Sequence, residues 1–180
     1  VQSFSRVAGE YRLVPLEPTD VSDMAALLSQ PRLCSRNGMT ERMVDTEMCL
    51  RRLSSALETR STFGLQTWKV LANDGTLLGL SGFSVMEETS EVNLTYCFSE
   101  HALKVDPKIA HDICKDVIDV FFDSTYFTHL VCLARRGDEK LAAHLKELEF
   151  SFRETRQIAG ETVDVYQVLS PIVAGYLKAG

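Results

Sequence analysis

The run EVNLTYCFS (residues 91–99), followed by KIAHDICKDVIDVFF (108–122) and HLVCLA (129–134), decides how this chain folds. In the first, side chains alternate: Val92, Leu94, Tyr96 and Phe98 fall on one face of a strand, Glu91, Asn93, Thr95 and Cys97 on the other. In the second, Ile109, Ile113, Val117, Val120 and Phe121 recur at helical spacing and form an apolar stripe. The third is apolar without a break, which predicts a central strand covered on both faces.

Upstream, the spacing predicts strands over 66–72 and 76–86. They are joined by Asn73-Asp74-Gly75, residues that tolerate the positive φ of a tight hairpin. A first strand is expected over 11–16, closed by Pro15 and Pro18. A helix capped by Asp20 follows over 21–29 and stops at Pro31. Gly38 and Thr40 lead into a second helix over 41–57, with Met43, Val44, Met48, Leu50 and Leu53 apolar. The pattern breaks between Glu100 and Pro107. Downstream come a helix over 138–148 and a hairpin of 151–158 with 163–169, turned at Ala159-Gly160. The expected order is β α α β β β α β α β β in one α/β unit.

The chain has 180 residues, 45% of them apolar and 24% charged, with a net charge of −6. That length suits one domain with a proper core. The acidic balance argues against nucleic acid as the main partner, since that task needs a basic face. Five cysteines (Cys34, Cys49, Cys97, Cys114 and Cys132) without a CxxC pair predict neither a disulfide framework nor structural zinc, and fit a reducing, cytoplasmic setting. His101, His111, His129 and His144 show no metal-ligand spacing. No apolar run is long enough to span a membrane. Because the sequence starts at Val1, trimming or excision from a larger protein stays open.

Several stretches resemble the GNAT N-acyltransferase fold, and more narrowly its RimJ/RimL-type branch. They are YRLVPLEPTDVSDMAALL from Tyr11, NDGTLLGLSGF with Gly79, EVNLTYCFSE, KELEFSFRET, and GETVDVYQVL with Asp164 and Tyr166. The resemblance runs from Tyr11 to Leu169. It implies a single α/β (α+β) domain over 1–180, with residues 1–10 as an extension. The sheet would be mixed and mostly antiparallel, flanked by about four helices. It also implies acetyl-CoA or another acyl-CoA as co-substrate, and a peptide N-terminus or small-molecule amine as acceptor.

Carried onto this sequence, the resemblance sets Phe98 and Ser99 along the pantetheine arm and Lys104, Val105, Lys108, Ile109 and Ala110 at the pyrophosphate. Asp138 stands where the branch has Asn. Departures are plain in the phosphate loop. Family members use an Arg/Gln-x-x-Gly-x-Gly/Ala pattern whose backbone N–H groups cradle phosphate. Here the run is Val105-Asp106-Pro107-Lys108-Ile109-Ala110, with lysine at the central glycine position, a proline lacking N–H, and an acid beside them. The branch's Gly-Phe pair after the last helix is Glu149-Phe150.

Acyl transfer to an amine needs a base, a donor that polarises the thioester carbonyl, and a proton for the thiolate. Glu91 or an ordered water is the base expected from sequence, with Asn93, at the position where relatives carry Glu, as the neighbour of Glu91 on the same face. The usual acid positions are filled by Leu141 and Leu145, and His144 reads as a surface residue, as do His101 and His111. Asp138 reads equally as a helix cap. Cys97 and Cys132 read as buried, inert thiols, since neither has a visible base. Tyr166 suits a core position or the acceptor cleft, Trp68 sheet packing, and Arg135-Arg136 a solvated loop or a phosphate contact. Arg42, Arg51, Arg52 and Arg60, mixed with acids, read as a solvent face. The alternative to an enzyme is a catalytically silent domain of this fold that binds a protein or ligand.

Overall fold

A computed structural model describes residues 11–30 and 46–179. The extension at 1–10, Cys34 and the expected helix start at Gly38–Asp45 lie outside the described residues.

Among the described residues seven strands form one sheet in the order β1-β2-β3-β4-β5-β7-β6. Strands β1 (Tyr11–Pro15), β2 (Thr67–Ala72), β3 (Leu77–Val85) and β4 (Val92–Phe98) make an antiparallel meander. The β2–β3 turn forms as its residues dictate: Gly75 takes φ +87° and Asp74 Oδ1 accepts from the Thr76 N–H at 2.9 Å. After β4 the chain crosses over through α3 (Glu100–Val105) and α4 (Ile109–Ser124), so β5 (His129–Arg135) returns parallel to β4. Helix α5 (Glu139–Glu147) then leads to the hairpin β6 (Ser151–Ile158) and β7 (Glu161–Leu169), with β7 inserted beside β5.

The sheet separates two cores. On one face Leu94, Tyr96 and Phe98 of β4 pack with Ile109, Ile113, Val117 and Phe121 of α4 and with Leu141 and Leu145 of α5. On the other, Leu80 and Cys97 meet Met24, Leu27 and Leu28 of α1 (Val21–Leu28) and Cys49 and Leu53 of α2 (Thr46–Phe63). The alternation read in β4 therefore sorts its side chains as expected. Strand β5 is buried on both faces, with Leu130, Val131 and Cys132 fully enclosed.

Three local differences have physical reasons. The expected break after Ser99 is a helix, α3, because the Ser99 hydroxyl caps it, accepting from the Ala102 N–H at 3.0 Å. Helix α2 runs past Leu57 to Phe63 and ends at Gly64, whose φ of +71° closes the helix. A sixth helix, α6 (Pro171–Ala179), follows β7. Its signal, Ser170 before Pro171, is an N-cap followed by proline in the first turn; Ser170 Oγ accepts from the Val173 N–H at 3.3 Å.

Candidate active site

Strands β4 and β5 register at one residue pair, Asn93 opposite Val131. Beyond it the two strands part. Asn93 secures the fork: its Oδ1 accepts from the Leu133 N–H at 3.2 Å and its Nδ2 donates to Ser84 Oγ at 3.2 Å. A carboxamide with both ends engaged and almost no exposure is a wedge, not a proton carrier. The Ser99 N–H donates to Leu78 O on β3 at 2.8 Å, so odd-numbered residues of β4 aim their backbone groups at β3. Leu94, Tyr96 and Phe98 therefore aim theirs into the fork.

Next to the fork a cavity of about 250 Å³ lies between the sheet and α1–α2. Thr95 and Cys97 of β4 line one wall, Arg52, Ser55 and Thr59 of α2 the other. Positions 49, 52, 53, 56 and 59 share one side of α2 at helical spacing. Arg52 was expected on a solvent face. It is half-buried at the cavity wall, and burial lowers its pKa from the ordinary value. The lining contains no Asp, Glu or His among the described residues.

Glu91 falls outside this cavity. Its carboxylate takes two bonds from Arg153 (Nη1–Oε2 2.6 Å, Nη2–Oε1 3.0 Å), one from His129 Nε2 at 2.7 Å and a longer one from Arg156 at 3.4 Å. Held by Arg153 first and His129 next, it titrates well below the usual carboxylate range. A carboxylate so caged is a poor proton acceptor, which weighs against the base role expected of Glu91.

The residues set at the cofactor divide. Phe98, Ile109 and Ala110 are core side chains, leaving only their backbone for a ligand. Ser99 caps α3, and Lys104 pairs with Glu100 at 3.2 Å on an exposed face, beside the exposed Val105. Asp138 caps α5, accepting from the Leu141 N–H at 3.0 Å. At the start of α4, Asp106 Oδ2 accepts from the Tyr11 hydroxyl at 2.9 Å and Oδ1 from the Lys108 N–H at 3.0 Å. The Ile109 N–H donates to Asp106 O at 3.1 Å; the Ala110 and His111 N–H groups find no acceptor among the described residues.

Two further groups were not found by reading the sequence. The Tyr96 hydroxyl lies 2.6 Å from His144 Nδ1, a contact spanning 48 positions between β4 and α5. His144 is thus not a plain surface residue. Burial, then the neighbouring His111, push its pKa down, so the ring is neutral near pH 7. Among the described residues His144 Nε2 and His111 Nδ1 are buried without hydrogen-bond partners, their rings 6.2 Å apart. Cys97 and Cys132 are buried, as read.

The chain matches a family of known proteins along most of its length. The acetyltransferase (GNAT) domain family matches residues 11–151. The chain belongs to the GNAT acetyltransferase family. No curated protein sequence matches it significantly. Solved GNAT structures share the fold at low identity. An acetyltransferase from Agrobacterium tumefaciens superposes with a TM-score of 0.75 at 17% identity, covering 93% of this chain and 94% of that one. A RimL ribosomal-protein α-N-acetyltransferase, solved with coenzyme A, gives 0.71 at 11%, over 93% and 98%. A spermidine N-acetyltransferase chimera from Vibrio cholerae gives 0.69 at 12%, over 93% and 98%.

Proposed function

We propose that this GNAT protein transfers an acyl group from acyl-CoA to an amine held in the cavity between the sheet and α1–α2. The observation that carries the reading is the β4–β5 fork opening beside that cavity. Acyl-CoA would supply an activated thioester and a thiolate leaving group. The residues present fit it at the phosphate end: the Ala110 and His111 N–H groups at the start of a 16-residue helix, with Lys108 alongside, can serve a pyrophosphate.

Each remaining task falls to a residue of this chain. Asn93 keeps the strands apart. The β4 edge toward Phe98 offers backbone N–H groups to a carbonyl oxygen. With no carboxylate or imidazole among the described residues of the cavity lining, the amine's proton leaves through water held by the Ser84 and Thr95 hydroxyls. Tyr96, its hydroxyl beside neutral His144, would serve as the donor to a departing thiolate. The buried free thiols of Cys49, Cys97, Cys114 and Cys132 suit a reducing, cytoplasmic setting. Membership of the RimJ/RimL-type branch would make a peptide N-terminus or small amine the acceptor.

One observation favours a silent binding domain instead: the Lys108 and Ile109 N–H groups are already consumed by Asp106. Thermal unfolding with acyl-CoA separates the two. Ligand at 100 times its dissociation constant adds about 2.7 kcal/mol, which raises the midpoint by about 5–10 °C. No shift with acetyl-, malonyl- or longer acyl-CoA would remove the enzyme reading.

A further inference from the structure

Among the described residues Arg52 is the one charged side chain in the cavity lining, and what surrounds it is informative. Helix geometry sets it on the same side of α2 as Cys49, Ala56 and Thr59, so its stem leaves the helix toward β4 rather than toward water. It has no ion pair or hydrogen bond among the described residues. Among the described residues no acid lines the cavity: Asp23 and Glu58 are exposed, and three others pair elsewhere. Asp20 pairs with Lys69 at 2.7 Å, Glu17 with Arg60 at 3.4 Å and Glu47 with Arg51 at 2.9 Å. The groups that act on Arg52 electrostatically are the thiols of Cys97 and Cys49.

A guanidinium that is half out of water and lacks an anion is costly to keep. Burial depresses its pKa, but an arginine stays charged under all ordinary conditions. Its fork of donors is built for a carboxylate, which it grips with two parallel bonds. A polyamine, by contrast, would bring like charge into a cavity that has no acid among its described residues to receive it.

Resting on the acyltransferase reading above, we infer that the acceptor is an amine that also carries a carboxylate, and that Arg52 binds that carboxylate in the cavity. The acceptor class is then amino acids or acidic peptide N-termini, and not polyamines. At about 250 Å³ the cavity lies at the small end of ligand sites, which suits one residue or its equivalent. The overall charge of −6 does not set this preference, because the cavity presents the opposite sign.

The test titrates the full chain, with saturating CoA, using ω-amino acids from glycine to aminohexanoate and the primary amide of each, by calorimetry. The amide keeps the size and the amine but lacks the carboxylate's negative charge. At least one acid should bind tenfold or more tightly than its amide. That ratio should fall to within about twofold in Arg52→Gln and be partly kept in Arg52→Lys. Equal binding of acid and amide at every length in the wild type overturns the inference without any variant. So does discrimination that survives in a folded Arg52→Gln. Unfolding midpoints with CoA in the same samples keep the two claims apart. Discrimination without CoA binding leaves the carboxylate site and removes the acyltransferase, and CoA binding without discrimination does the reverse.

Discussion

Replacing Glu91 by Gln should cost stability and leave the chemistry almost untouched. The carboxylate joins the start of β4 to β5 through His129 and to β6 through Arg153 and Arg156, with only 13% of its side chain exposed. Hydrogen bonds to charged groups contribute about 1.5–3 kcal/mol each when lost singly. Glu154, which pairs with both arginines, retains part of the network after the change. The net loss should be about 2 kcal/mol, or about 4–8 °C in the unfolding midpoint of a chain this size.

The effect has a pH signature. A carboxylate whose folded pKa is depressed stabilises the fold above its unfolded pKa of about 4.3, and that contribution disappears as pH falls toward the folded value. The gap between wild type and Glu91→Gln should therefore be full near pH 7 and shrink below about pH 4. Differential scanning fluorimetry across pH reads the first quantity, and thiol release from acyl-CoA reads turnover. Turnover should stay within about threefold, whereas loss of a general base costs about 10²–10⁴. A hundredfold fall in kcat with an unchanged midpoint would refute the reasoning and restore Glu91 as base.

Two other substitutions test separate parts of the account. Glu149 follows α5 at φ +67° in a turn where the Phe150 N–H donates to Leu145 O at 2.9 Å and the Glu149 N–H to Lys146 O at 3.0 Å. A left-handed residue with a side chain is strained there, so Glu149→Gly should stabilise the protein by about 0.5–1 kcal/mol, measured by chemical denaturation. Tyr96→Phe removes the hydroxyl at His144 and should lower kcat by about 10²-fold or more, with acyl-CoA affinity by calorimetry unchanged.

The strand and helix order was legible because local patterns carried it: alternation in β4, the stripe of α4, the Asn-Asp-Gly turn. So was Gly79, where an added Cβ would lie 2.5 Å from Cys97 O and 2.6 Å from the Phe98 ring. The site was legible only in part. Asn93 and the start of α4 were singled out by position, but their roles depend on partners far along the chain: Leu133 for Asn93, Tyr11 for Asp106. Glu91 looked like a base because its captors, Arg153 and Arg156, come from a strand 62 or more positions away. The Tyr96–His144 contact left no local signal. Arg52 did leave one, its spacing from Cys49 and Ala56, which the surrounding charges of α2 obscured.

Amine-dependent thiol release from acyl-CoA, measured on the wild type and on Ala56→Phe, tests the central claim most directly. Ala56 lines the cavity from α2, and a phenyl group there would fill the space assigned to the acceptor. The account predicts release that requires both an amine and the open cavity, with CoA binding retained in the variant. Full amine-dependent turnover in a folded Ala56→Phe, or none in the wild type across acyl chains and amines, would contradict it.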